Sequence, residues 1–124
     1  MMFRTHLMFS VLVGMLYIHL FHGSEPLGSS ALLFLLVILG GIFPDIDHPK
    51  SKLGRKFKFI GFLFEHRGFF HSFFAVVGFS LLLLYFTGNM DYFSAFFTGY
   101  LAHLMLDSLN YKGFMPLHPL SRAR

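Results

Sequence analysis

Four runs of apolar residues organise the chain, at about 6–22, 27–43, 68–87 and 91–109, with polar residues gathered between them. Each comes near the ~20 residues an α-helix needs to cross a ~30 Å hydrocarbon core. A lipid-embedded segment must satisfy its own backbone hydrogen bonds, so these runs predict helices. The breaks carry turn chemistry. Ser24 and Pro26 read as the cap and first turn of the second helix, Pro44 as its stop, and Gly88-Asn89 as a tight turn. The stretch 49–65 has another pattern: Leu53, Phe57, Ile60 and Phe64 recur at helical spacing among five basic residues. That predicts an amphipathic segment over 50–65 lying against anionic headgroups. The expected fold is therefore all-α. It is an antiparallel integral membrane four-helix bundle with a short interfacial segment, forming a single membrane domain over 1–124.

Charge orients this bundle. In four alternating spans, the start of the first, the end of the second, the start of the third and the end of the fourth share one side. Arg4, Lys50, Lys52, Arg55, Lys56, Lys58, Arg67, Lys112, Arg122 and Arg124 are all ten Lys and Arg residues, and all fall on that side. The opposite connections carry only Glu25 and Asp91. The positive-inside rule then predicts a multi-pass membrane protein with both termini and the 45–67 loop in the cytoplasm.

Composition agrees. Hydrophobic residues make up 55% of the 124 and charged residues 13%, against about 25% charged in a typical globular domain. So short a soluble chain could not bury that much apolar surface, which excludes a soluble domain and disorder alike. With no Cys, there is no disulfide, Cys-based zinc finger or thiol nucleophile. The net charge of +4 and pI near 9.6 fit membrane lipids as the partner, with no nucleic acid. Residues 1–31 have a rough signal-peptide layout, but the cleavage site is poor and cleavage would discard His6.

The chemistry lies at the cytoplasmic-side ends of all four runs. His6 opens the first, and Asp45, Asp47 and His48 close the second between Pro44 and Pro49. Glu65, His66, Arg67 and His71 lead into the third, and His103 and Asp107 end the fourth. Ionisable groups at spanning helices are costly and read as functional. Imidazole and carboxylate together form a ligand set for a divalent ion, with Zn favoured and Mn, Mg, Ni or Fe compatible. His103 and Asp107, at i and i+4, project from one helix face. Stripes of small residues run on from these positions: Gly99 and Ala95 below His103, Ala75 and Gly78 or Phe79 below His71, Ser10 and Gly14 below His6. Such stripes mark close-packed interior faces and leave the Phe and Leu faces to lipid. Ser72 reads either as a support for a ligand or as the cap of the third helix. Tyr100 and Tyr111 read as interface anchors, His19 and His22 at the opposite end of the first run as interfacial without chemistry, and His118 as structural.

The blocks HLMFS (6–10), PDIDHPKSKLG (44–54), HRGFFHS (66–72) and GYLAHLMLDSLNYKGFMPLHP (99–119) resemble the YdjM-like (LexA-regulated type) membrane-bound metal-dependent hydrolases. The resemblance implies an inner-membrane helical protein in which His6, Asp45, Asp47, His48, His66, His71, His103 and Asp107 bind metal. Two positions depart from the family pattern: Phe70 stands where Thr is usual, and Asn110 where another Thr is usual.

Three Asp and five His exceed the roughly four ligands of one tetrahedral zinc, so one or two ions are expected, a pair being bridged by Asp45 or Asp47. The expected reaction is metal-dependent hydrolysis at the cytoplasmic membrane interface, of a phospholipid or lipid-linked phosphate. Asp107, His66 or Glu65 would manage protons and Arg67 would hold the anionic group. The competing reading is a metal-ion carrier or sensor without hydrolytic activity. Midspan stretches such as LVGML and FSLLL offer few polar groups for transport.

Overall fold

The computed structural model describes residues 3–47, 56 and 69–109. Among these there are four α-helices and no strand: α1 (Phe3–Phe21), α2 (Leu27–Ile42), α3 (Phe73–Thr87) and α4 (Met90–Ser108). Two 3-10 turns complete them, Phe43–Asp47 after α2 and Phe69–His71 before α3. The stretches Arg4–Phe21 and Leu27–Asp45 are long and apolar enough to cross a membrane, and Phe73–Thr87 is a shorter apolar helix. The interfacial segment expected over 50–65, Lys56 apart, lies outside the described residues, as do Tyr111 and His118.

Local chemistry explains the helix limits. The third run was expected to be helical from 68, yet α3 begins only at Phe73 because Ser72 is its N-cap. The Ser72 hydroxyl oxygen accepts from the Ala75 amide at 3.2 Å and donates to the Phe69 carbonyl at 2.6 Å, which ties the preceding 3-10 turn to the helix. Ser72 is thus the cap of the third helix. At the other end Gly88 has φ +63°, the left-handed conformation that ends helices, and the Asn89 side chain caps α4 by accepting from the Asp91 and Tyr92 amides. The cap expected at Ser24 is not formed. Pro26 precedes α2 with no side-chain cap, and Ser29 donates to the Pro26 carbonyl instead. Pro44 does end the α-helix, but the chain tightens into a 3-10 turn there and carries Asp45 onward.

The most extensive helix pairing is α2 on α4. The two run in the same direction, so Leu33, Val37 and Gly41 lie level with Ala95, Gly99 and His103. Glycines allow the backbones to meet: a Cβ on Gly99 would strike the Val37 carbonyl oxygen, and one on Gly40 the Phe96 carbonyl. α1 runs opposite to α4. His6 lies near Asp107 at one end, and the Tyr17 hydroxyl meets Ser94 Oγ at 2.6 Å toward the other. α3 packs on α4 through Ala75, Val76, Tyr100 and Leu104, framed by Phe43, Phe69, Phe79, Phe96 and Phe97. The small-residue stripes hold on α1 and α4, where Ser10, Gly14, Ala95 and Gly99 are buried. On α3 the buried line passes through Ala75, Val76 and Ser80, while Gly78 is exposed. Met8, Leu12, Leu16, Leu35, Leu39, Phe74, Leu81 and Phe86 form an exposed apolar exterior.

Candidate metal centre

The beginning of α1, the turn after α2, the turn before α3 and the end of α4 converge at one end of the helices. They bring together five of the singled-out residues: His6, Asp45, His71, His103 and Asp107, all buried. The remaining ones, His48, Glu65, His66 and Arg67, and the side chain of Asp47, lie outside the described residues.

Asp107 is the hub. Its Oδ1 lies 3.3 Å from His6 Nε2, and its Oδ2 lies 3.2 Å from His71 Nε2 and 3.4 Å from His103 Nε2. The His71 and His103 Nε2 atoms are 3.3 Å apart, and Asp45 Oδ1 stands 3.8 Å from His103 Nε2. The His6 and His103 rings are stacked, with centroids 4.0 Å apart and planes 15° from parallel.

One hydrogen bond fixes the electrostatics. His103 Nδ1 sits 2.6 Å from the Gly41 carbonyl oxygen, and a nitrogen that close to a carbonyl must donate its proton. A neutral His103 then has only a lone pair at Nε2, and that lone pair faces carboxylate oxygens of Asp107 and Asp45. Acceptors facing acceptors in a buried site are satisfied by a proton or a cation between them, and His71 Nε2, 3.3 Å away, shares the same space. The anchoring of one ring nitrogen by a backbone carbonyl, so that the other is aimed and kept basic, is also how metal-ligating histidines are oriented.

The spacing fits an ion. Ligands at the corners of a tetrahedron, about 2.0–2.1 Å from its centre, stand about 3.3 Å from one another. His71 Nε2, His103 Nε2 and Asp107 Oδ2 are separated by 3.3, 3.2 and 3.4 Å, which is one face of such a figure. His6, Asp45 and His103 form a second group, with donor atoms within 4.8 Å of one another. His6 Nδ1 is buried with no hydrogen-bond partner among the described residues.

Neighbouring residues hold the donors in place. The Ser10 hydroxyl donates to the His6 carbonyl at 2.8 Å, and a Cβ on Gly41 would run into the Ser10 side chain. Ser10, Gly41 and His103 therefore mark a crossing of three helices where the carbonyl that aims His103 is exposed to it. Tyr100 corrects an expectation. It is no interface anchor but fully buried, and its hydroxyl donates to the Phe70 carbonyl at 2.7 Å, fixing the turn that carries His71. Burial in a packed helix pair won over the usual interfacial preference of Tyr because a carbonyl partner was within reach. Phe70, where the family pattern has Thr, stacks on Phe79 at 5.5 Å and belongs to the aromatic core. The role of the Gly41 carbonyl is a backbone contact with no residue-type signature; the Gly40-Gly41 pair at the end of the second run is its one trace in the sequence.

Fold and site together define an all-helical membrane protein with a buried His/Asp centre that could hold a divalent ion. The chain belongs to the YdjM inner membrane protein family, which it matches over residues 1–124. It is 39% identical to the inner membrane protein YdjM of Escherichia coli (strain K12) over 93 residues, covering 66% of this chain and 46% of the relative. YdjM of Shigella flexneri matches to the same extent. The uncharacterized protein YvsG of Bacillus subtilis (strain 168) is 30% identical over 107 residues, 80% of this chain and 62% of that protein. The chain thus spans less than two thirds of the length of these curated relatives. No solved structure matches the chain.

Proposed function

We propose that the protein is a membrane-embedded metal-dependent hydrolase whose site lies at the cytoplasmic membrane interface. The observation that carries this reading is the lone pair of His103, aimed by the Gly41 carbonyl at two carboxylates in a buried cluster. His6, His71, His103 and Asp107 would hold a divalent ion, zinc first among the candidates, with Asp45 completing the set or serving a second ion. A divalent ion supplies Lewis acidity toward a phosphoryl or acyl oxygen and toward water. Asp107 is engaged by three imidazoles and is better suited to bridge and orient them than to pass protons. Proton transfer then falls to His66 and Glu65, and Arg67 grips the anionic oxygens of the substrate.

The topology belongs to the same proposal. Four spans place both termini and all ten Lys and Arg residues in the cytoplasm, the charge asymmetry that fixes orientation. The opposed directions of α1 and α4 and the common direction of α2 and α4 support it. A site at headgroup depth, followed in the sequence by the basic segment 50–65, suits a phospholipid or lipid-linked phosphate ester. The test is release of a water-soluble product from such lipids by detergent-purified protein, lost with chelation and restored by zinc or manganese. No release from any lipid, with the metal still bound, overturns the hydrolase reading.

One observation favours a second reading. His6, His71, His103 and Asp107 are each no more than 2% exposed. Catalytic zinc keeps one position open, whereas structural and sensing sites are closed. A metal-ion carrier or sensor is therefore the competing function, and metal flux into liposomes separates carriage from catalysis.

A further inference from the structure

At the end of the helices away from the metal centre, α1 and α4 part to leave a cleft of about 430 Å³, lined by Tyr17, Phe21, His22, Asp91, Ser94 and Thr98. Its two walls differ in chemistry. The α1 wall is aromatic: the Tyr17 ring contacts Phe21 at 5.5 Å and His22 at 5.3 Å between centroids. The α4 wall is made of oxygen acceptors. Ser94 Oγ donates to the Asp91 carbonyl at 3.0 Å and Thr98 Oγ1 to the Ser94 carbonyl at 2.7 Å, so both hydroxyl protons are already committed. With the Ser94 proton on the Asp91 carbonyl, the 2.6 Å contact between the Tyr17 hydroxyl and Ser94 Oγ takes its proton from Tyr17. What these three hydroxyls still offer is lone pairs, beside the Asp91 carboxylate, which makes no ion pair among the described residues.

We propose that this cleft binds an ammonium group, carried by an amine-headed phospholipid or by a free alkylamine. A carboxylate and hydroxyl lone pairs on one side and aromatic faces on the other are the two elements that recognise organic cations. Among the described residues no Lys or Arg lines the cleft for an anion, and the Asp91 and Tyr92 amides at the start of α4 are taken by the Asn89 side chain. A divalent metal finds one carboxylate and one imidazole, short of a ligand set. The site is independent of the metal centre and of any hydrolytic activity.

The experiment measures phosphatidylethanolamine and phosphatidylglycerol retained by the full chain after detergent exchange from mixed vesicles, with ethanolamine hydrochloride as competitor. Phosphatidylethanolamine is expected to be retained in preference, and Asp91→Asn to weaken that retention about tenfold while the size-exclusion profile is unchanged. Displacement by ethanolamine identifies the free amine as sufficient. Retention that resists ethanolamine but falls in Asp91→Asn identifies the lipid-borne group. Equal retention of both lipids, or an Asp91→Asn protein indistinguishable from the parent, overturns the proposal. Tyr17→Phe, which removes one acceptor and keeps the ring, gives a smaller loss in the same direction.

Discussion

Where α1 begins and α4 ends, imidazoles and carboxylates are sealed away from solvent within about hydrogen-bonding distance of one another. Where α1 ends and α4 begins, hydroxyls, rings and a single carboxylate line an open cleft. The same two helices make both regions, so the difference lies in what packs around them. At the first, the glycines of α2 and α4 draw the backbones together, and the turns before α3 and after α2 close over the side chains. At the second, the α1–α2 connection contributes only His22, and the cleft is bordered by exposed Phe21 and Asp91. Close backbone approach, more than residue type, decides which polar groups become a buried centre.

The contrast can be broken at several points. The largest effect is expected from His103→Ala combined with Asp107→Ala, which removes the hub and one shared donor. Metal measured by elemental analysis of the purified protein should fall to background, and undiminished metal would falsify the centre. Gly99→Val should come next: its side chain meets the Val37 carbonyl, forces α2 off α4 and costs about 3 kcal/mol in detergent unfolding, disturbing both ends. Gly41→Ala acts more locally. Its methyl pushes against Ser10 and shifts the carbonyl that orients His103, so metal affinity in a chelator competition should drop about 10–100-fold with folding largely kept. Smallest is Tyr17→Phe, which loses one hydrogen bond worth about 1 kcal/mol and should leave the metal affinity untouched. A change in metal affinity there would mean that the two ends are coupled.

Much of this was readable from residue order. The apolar runs mark the helices to within a few residues, and the convergence of His6, Asp45, His71, His103 and Asp107 follows from placing run ends on one side. The third run shows where such reading fails. Residues 68–72 join Phe69 and Phe70 to His71 and Ser72, and hydropathy alone does not signal that the Ser72 hydroxyl bonds both ways and delays the helix to Phe73. Tyr100 looks like any tyrosine near a helix end, and only the docked turn reveals the Phe70 carbonyl waiting for it. Ser24 fails as a cap because Pro26 takes the position before α2. The Gly41 carbonyl is the deepest omission: its role exists only at the distance set by two crossing helices.

The donors of the buried centre come from the first turn of α1 and the last two turns of α4, with the turns after α2 and before α3 between them. A nascent chain emerging N-terminus first therefore carries His6 through the synthesis of α2, α3 and α4 before Asp107 arrives to meet it. A cation that used all of these donors would therefore bind only after α4 is in place, and it would tie two stretches of polypeptide about a hundred residues apart.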